Sequence, residues 1–254
     1  MDPSPPLQAT APVRPPLRAL LLYAFGQLGW SLASFSVGNL LVYFYMPPEQ
    51  GEPIFPGFLY QGAVVGVLTL IGILSAGGRL LDGIIDPLVA NWSDNKTASI
   101  GKRRWFLLRG ALPFALFSTL VFFPPEYAES ASNFVWLALM IGLYYFFFAF
   151  YVIPHNALLA ELGHTPKDRM VISTMISVAW ALGFVAGNSV YVLQGVFEQA
   201  GYTPVNAFQY AIASLNGAAL LFMLLPALFL NENRYARQTV NDHNIRQALR
   251  IVFG

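Results

Sequence analysis

Six long apolar runs dominate the chain, at residues 18–46, 59–90, 105–123, 133–160, 170–194 and 206–230. About 20 residues suffice to cross a bilayer, so each run is long enough to span with some tilt. None alternates polar and apolar with period two, so the runs predict helices rather than barrel strands. Composition points the same way. Hydrophobic residues are 56% of the chain and charged residues 11%, against roughly 45–50% and about 25% in soluble domains. So little charge argues against a soluble enzyme, and so much apolar surface argues against disorder. A net charge of +1 offers no basic surplus for nucleic acid. With no cysteine, a disulfide framework, a thiolate metal site and cysteine catalysis are excluded.

The breaks between runs carry turn residues and charge, and the charge is sorted. Arg14 and Arg18 precede the first run. Lys96, Lys102, Arg103 and Arg104 separate the second from the third, Lys167 and Arg169 the fourth from the fifth, and Arg234, Arg237, Arg246 and Arg250 follow the sixth. The other three loops hold no Lys or Arg, only Glu49, Glu52, Glu126, Glu129 and Glu198. Basic loops are retained in the cytoplasm, so the pattern predicts six spans with both termini cytoplasmic, in the inner (plasma) membrane. The expected fold class is all-α, an integral membrane six-helix bundle over 17–230. A flexible Pro-rich cytoplasmic tail, 1–16, precedes it. A cytoplasmic segment, 231–254, follows, in which Ile245, Leu249 and Val252 recur at helical spacing beside Arg246 and Arg250. That pattern reads as a short amphipathic helix or as a solvated tail.

Ionisable groups inside a membrane are functional candidates by default. The second run holds Arg79, Asp82 and Asp86 in the stretch Gly78-Arg-Leu-Leu-Asp-Gly-Ile-Ile-Asp-Pro87. At about 100° per residue, positions i, i+3 and i+7 share a face. Two carboxylates in a low dielectric do not both ionise readily unless a cation joins them. A bound Na⁺ or proton at Asp82 and Asp86, with Arg79 tuning their charge, is therefore the coupling-ion reading. A structural Arg–Asp pair that holds helices together is the plainer one.

The loop that follows, from Asn91 to Arg104, combines Asp94, a glycine turn and the basic cluster Lys102, Arg103 and Arg104. It reads as a gate loop able to hold neighbouring helix ends in one state, or simply as positive-inside anchoring. Polar stripes mark helices that could line a cavity: Tyr23, Gln27, Trp30, Ser31 and Ser34 on the first, Tyr151, His155 and Asn156 around Pro154 on the fourth, and Ser173, Ser177, Trp180, Asn188 and Tyr191 on the fifth. Gln27, Trp30, Ser31, Tyr151, His155, Asn156 and Trp180 are the cavity candidates, though such groups also serve as hydrogen-bonding glue between helices. Gly62-x-x-x-Gly66 and Gly183-x-x-x-Gly187 are read as close-packing helix motifs. The chain carries no G-x-S-x-G, H-E-x-x-H or P-loop signature, and the expectation is a transporter, not an enzyme.

Four stretches resemble the glycoside–pentoside–hexuronide:cation symporter branch of the major facilitator superfamily, typified by melibiose permease. They are Tyr23-Ala-Phe-Gly26-Gln-Leu-Gly29, Arg79-x-x-Asp82-x-x-x-Asp86-Pro87, Gly101-Lys102-Arg103-Arg104-Trp105 and Val152-Ile-Pro154-His-Asn-Ala-Leu158. The resemblance implies cation-coupled symport of a small, sugar-like solute by alternating access, with no cofactor, Na⁺ or H⁺ as the coupling ion, and Asp82 and Asp86 as its ligands. Ser31, Val152 and Ile176 stand where the type protein carries its sugar-site acids and arginine, so transport of a lysolipid is kept as an alternative. A membrane-embedded metal-dependent phosphotransferase is the alternative from another class, but the rest of its acidic motif is missing. The resemblance covers one six-helix half of a twelve-helix family, so the expected partners are the bilayer, the solute, and a C-terminal six-helix half or its equivalent, with no nucleic acid.

Overall fold

The computed structural model describes residues 13–46, 54–65 and 68–237. The amphipathic pattern at 244–253, most of the Pro-rich tail and the loop acids Glu49 and Glu52 lie outside them. Among the described residues the chain forms α1 (Leu17–Tyr45), a hairpin of β1 (Ala63–Val65) and β2 (Leu68–Thr69), α2 (Leu70–Asn95), α3 (Lys102–Leu120), α4 (Ala131–Leu162), α5 (Pro166–Gly187), α6 (Val190–Gln199), α7 (Pro204–Phe229) and a last turn, α8 (Glu232–Tyr235). The fold is an all-helical membrane bundle. Four helical stretches, α1, α4, α5 with α6, and α7, are long and apolar enough to cross a membrane on hydropathy alone. The remaining two of the six runs, α2 and α3, carry the charged sets from Arg79 to Asp94 and from Lys102 to Arg109.

Several helix starts are written locally. Thr69, Ser130, Thr165 and Thr203 each accept a hydrogen bond from the backbone amide three residues on, at 3.1–3.4 Å. Thr165 and Asp168 form a reciprocal capping box, with Pro166 in the first turn. These caps satisfy backbone donors that a helix end leaves orphaned.

Two expectations are corrected. The second run does not enter its helix at 59: α2 begins at Leu70, and the residues before it turn through the antiparallel hairpin, with Ala63 opposite Thr69. Gly62 therefore lies outside any helix and does not act in a helix-packing motif. The β-branched residues Val64, Val65 and Thr69 favour extended backbone over helix. The fifth run is not one rod either. It breaks between α5 and α6 at Asn188 and Ser189, whose side chains bond back to Phe184 O at 3.0 Å and Ala186 O at 2.6 Å. Such back-bonding competes with the helix ladder and bends it.

In a bilayer the tails are as apolar as the helices, so close packing and hydrogen bonds hold the bundle together. α1 packs against α5 and α7, α3 against α4 and α7, and α2 against α4. Glycines permit the closest approaches. A Cβ on Gly183 would meet Leu28 O at 2.8 Å, and one on Gly29 would meet Ala219 O and Met223 N at 2.7 Å. Tyrosines bridge helices, from Tyr23 Oη to His155 O at 3.1 Å and from Tyr151 Oη to Met223 O at 2.9 Å. Because the atoms facing Gly29 are backbone, they have little freedom to retreat. Gly29→Ala should cost about 1–3 kcal/mol through overpacking, read as a lowered unfolding midpoint of the purified chain in detergent. Gly38→Ala, where a Cβ meets nothing within 4 Å among the described residues, should leave the midpoint unchanged or raise it.

The two ends of the bundle differ. At one end an aromatic cluster closes over the loops, with Phe44 stacked on Phe58 at 4.8 Å and on Phe208 at 5.1 Å. At that end Asn133 Nδ2 donates to Phe58 O at 3.0 Å. All the described basic loops meet at the other end, where Val13 N donates to Arg234 O at 3.0 Å and Arg237 N to Glu161 O at 2.9 Å. The loop charges sorted along the sequence are thus sorted in space.

Candidate functional site

The face of α2 that carries Arg79, Asp82 and Asp86 lies beside α4. Gly78 lets the two helices meet, since a Cβ there would run into the ring of Tyr145. Asp82 lies within electrostatic reach of Asp86, Tyr144 and Tyr145. Arg79 Nη1 stands 3.9 Å from Asp82 Oδ2, and their side chains are 82% and 20% exposed. That separation is too long for a hydrogen bond, and the guanidinium points away into the surroundings while the carboxylate is shielded. Asp82 Oδ1 is buried and accepts no hydrogen bond among the described residues. A shielded carboxylate oxygen without a donor is costly, and a cation is the kind of ligand that offsets it.

An aromatic wall continues from this point. Tyr144 packs near Phe148 at 5.9 Å, and Phe148 meets Trp30 of α1 edge-on at 5.9 Å. Trp30 Nε1 is also buried, with no acceptor among the described residues. Asp82, the Tyr144–Tyr145 pair and Trp30 are therefore brought to one side of the bundle, between α1, α2 and α4. Sequence reasoning missed Tyr144 and Tyr145, because an aromatic pair inside Leu143-Tyr-Tyr-Phe-Phe-Phe148 looks like ordinary apolar filling.

The other cavity candidates separate. Gln27 and Ser31 are buried, and Ser31 Oγ donates to Leu28 O in its own helix at 3.0 Å. Tyr151 and His155 are fully buried in the core. His155 stacks on Tyr23 with ring centres 4.4 Å apart, and its Nε2 bonds Tyr23 O at 3.1 Å; since a carbonyl only accepts, Nε2 carries the proton. Asn156 and Trp180 are exposed, on α4 and α5. Among the described residues no group of three or more His, Asp or Glu is placed to hold a metal ion.

The gate-loop residues are gathered into one network at the basic end. Arg103 is buried and donates from Nε and Nη2 to Glu161 Oε1 at 3.0 and 2.8 Å, from Nη2 to Asp94 Oδ1 at 2.5 Å, and from Nη1 to Ser93 Oγ. Lys102 Nζ lies 3.7 Å from Glu161 Oε1. The N-terminus of α3 has no cap of its own. Glu232, just past the C-terminus of α7, supplies one: its two carboxylate oxygens accept from Arg103 N at 3.1 Å and Arg104 N at 2.8 Å. An anion suits this site because helix N-termini present free amides and a partial positive charge. Burial pushes the Glu232 carboxyl above the usual range, and the two amides pull it back down. Gly101 precedes α3 with φ of 107°, and a Cβ there would strike the Glu232 side chain, so glycine is required twice over. Arg104 closes the network by donating to Ala227 O and Leu228 O at 3.0 and 2.9 Å. Glu161 and Glu232 were not among the sequence candidates. The available signal was their position, acids at the very ends of the fourth and sixth apolar runs on the basic side.

Comparison with known proteins matches this architecture. The chain is 24% identical over 220 residues to YagG of Escherichia coli (strain K12), which carries the name of a glycoside/cation symporter; the match covers 85% of this chain and 43% of that one. It is 25% identical over 183 residues to the inner membrane symporter YicJ of the same organism, over 72% of this chain and 39% of that one. With the isoprimeverose transporter of Lactiplantibacillus pentosus it shares 27% identity over 162 residues, 63% of this chain and 30% of the relative. The chain thus spans less than half the length of these relatives. The family model described as MFS/sugar transport protein matches residues 22–253. With that match extending over nearly all of its multi-pass helical bundle, the chain belongs to the MFS/sugar transport protein family.

Proposed function

We propose that this bundle forms one half of a cation-coupled symporter for a sugar-like solute, and that Asp82 and Asp86 take the coupling ion, Na⁺ or H⁺. The observation that carries the reading is the shielded, unpartnered Oδ1 of Asp82, one turn from a second carboxylate. Arg79, held off at 3.9 Å, lowers the cost of two acids on one face without occupying the space between them. Tyr145 beside Asp82 and Trp30 further along the same aromatic wall are part-exposed and offer apolar ring faces with polar edges, a combination suited to a sugar ring. The relatives named for glycoside/cation symport and isoprimeverose transport support a sugar-like solute. Their greater length supports a second six-helix half that completes the cavity.

The network of Arg103, Asp94, Glu161 and Glu232 acts as a latch. It ties the ends of α2, α3, α4 and α7 together, so that they would move as one body when access alternates. The test is uptake of a labelled glycoside panel into vesicles, with Na⁺ and pH gradients imposed separately. Accumulation should follow one of the two gradients. Uptake indifferent to both would refute coupling, and accumulation of a labelled lysophospholipid in place of every glycoside would reassign the substrate.

Orientation is part of the proposal. The basic end is cytoplasmic, in the plasma (inner) membrane, following the sorting of positive charge. The chain has no native cysteine, so single cysteines report cleanly. Cysteine at Glu129 or Glu198 should react with an impermeant thiol reagent added outside intact cells, and cysteine at Arg237 should react only after lysis. The opposite labelling would invert the topology.

A further inference from the structure

Tyr23 and Trp30 turn one side of α1 toward α4. Leu21, Phe25 and Leu28 each lie two residues from Tyr23 or Trp30, about 200° of helix rotation away, so they face outward. Together with Met175, Val178 and Leu182 of α5 they line a groove of about 290 Å³ whose surface is almost wholly apolar. Phe25 leans on Phe222 of α7 at 5.8 Å, which walls one side. Leu21, Phe25, Val178 and Leu182 remain between 38% and 54% exposed. Toward the basic end the same two helices enclose a second recess, of about 210 Å³, with Arg14 and Asp168 at its rim. Arg18 and Lys167, each next in sequence to a residue that lines this recess (Leu17 and Asp168), are exposed. The bond from Val13 N to Arg234 O ties the segment that precedes α1 to the exposed Arg234. Asp168, the one acid that lines the recess among the described residues, is already bound by Arg14 and by the Thr165 cap.

We infer that this outer α1/α5 groove is a binding site for an anionic phospholipid of the leaflet at the basic end, its acyl chain in the groove and its phosphate against Arg18, Lys167 and Arg14. The occupant follows from the two ends of the site. An apolar trough that opens sideways into the hydrocarbon region suits a chain, and a cationic mouth at headgroup depth suits an anion, where each nearby base strengthens attraction to acidic lipid. A soluble anion would leave the trough empty. The site lies on the opposite side of α1 from the acidic pair, so it does not depend on the transport reading.

The test is native mass spectrometry of the purified, delipidated chain, titrated with phosphatidylglycerol and with phosphatidylcholine of identical acyl chains. Phosphatidylglycerol should be retained preferentially. Arg18→Gln/Lys167→Gln, which leaves the Arg14–Asp168 pair in place, should weaken its retention by about tenfold or more and remove the preference. Val178→Trp, which fills the groove, should reduce retention of both lipids. An unchanged circular dichroism spectrum and elution volume would show that each variant is folded. Equal retention of the two lipids by the unaltered chain would overturn the inference. So would undiminished phosphatidylglycerol binding by folded Val178→Trp, or a dimer of the parent chain that this substitution dissolves, since the groove would then seat a second copy.

Discussion

Asp82→Asn combined with Asp86→Asn should abolish gradient-driven accumulation, reducing it to the level of vesicles without the protein. Each substitution removes a charge from the proposed ion site, and a neutral amide is a poor substitute for a shielded carboxylate against a cation. The single variants should be nearly as severe, because in the proposed site the two acids on one face of α2 share one ion. Downhill exchange of solute can survive, since it need not follow the ion. Arg79→Gln is expected to behave differently. It keeps both acids and removes their positive neighbour, so protonation becomes easier and ion preference moves toward H⁺. The measurement is initial uptake under separate Na⁺ and pH gradients in the transport-competent protein, at matched expression. Normal accumulation by the double variant would assign Asp82 and Asp86 a structural role and place any coupling ion elsewhere.

The second large effect is on stability and lies at the other end of the bundle. Arg103→Leu should destabilise the purified chain by about 3–5 kcal/mol, because it strands buried Glu161 without its main donor. Arg103→Lys should recover little of this. The guanidinium reaches Glu161, Asp94 and Ser93 at once with a planar fork that an ammonium lacks. Glu161→Gln should fall between the two, since an amide oxygen still accepts from Arg103 but carries no charge. Thermal or denaturant unfolding in detergent reads all three. An Arg103→Leu midpoint equal to that of the parent would show that the network is solvent-exposed ornament rather than a buried latch. If the latch also moves as a unit, folded Glu232→Gln should transport more slowly while the ion preference set at Asp82 stays unchanged.

How far the sequence reaches is clearest at particular residues. The run lengths and the sorting of Lys and Arg are properties of the chain alone, because the bilayer imposes one length and the membrane potential and insertion machinery impose one charge rule. They were enough for the helical membrane bundle and for the two-ended distribution of its loops. The shared face of Arg79, Asp82 and Asp86 also follows from spacing, since a helix rotates by a constant angle per residue. The extended entry into α2 and the break at Asn188 were not legible from hydropathy, which does not distinguish apolar helix from apolar hairpin or mark where a ladder of hydrogen bonds is interrupted.

Tertiary structure decided the rest, because it depends on residues far apart in sequence. Glu232 caps a helix that begins at Lys102, and Glu161 joins Arg103 across 58 positions. No local pattern pairs such groups; only the alternating run of the helices brings their ends together. The same holds at the acidic pair. Spacing alone placed Asp82 beside Asp86. The packing of α2 on α4 put Tyr144 and Tyr145 next to Asp82, held Arg79 at 3.9 Å, and left one Asp82 oxygen shielded and, among the described residues, unpaired. Likewise Tyr151 and His155 belong to a polar stripe by sequence and to the core by packing, since a helix face becomes a cavity wall or a buried contact according to which helix lies against it.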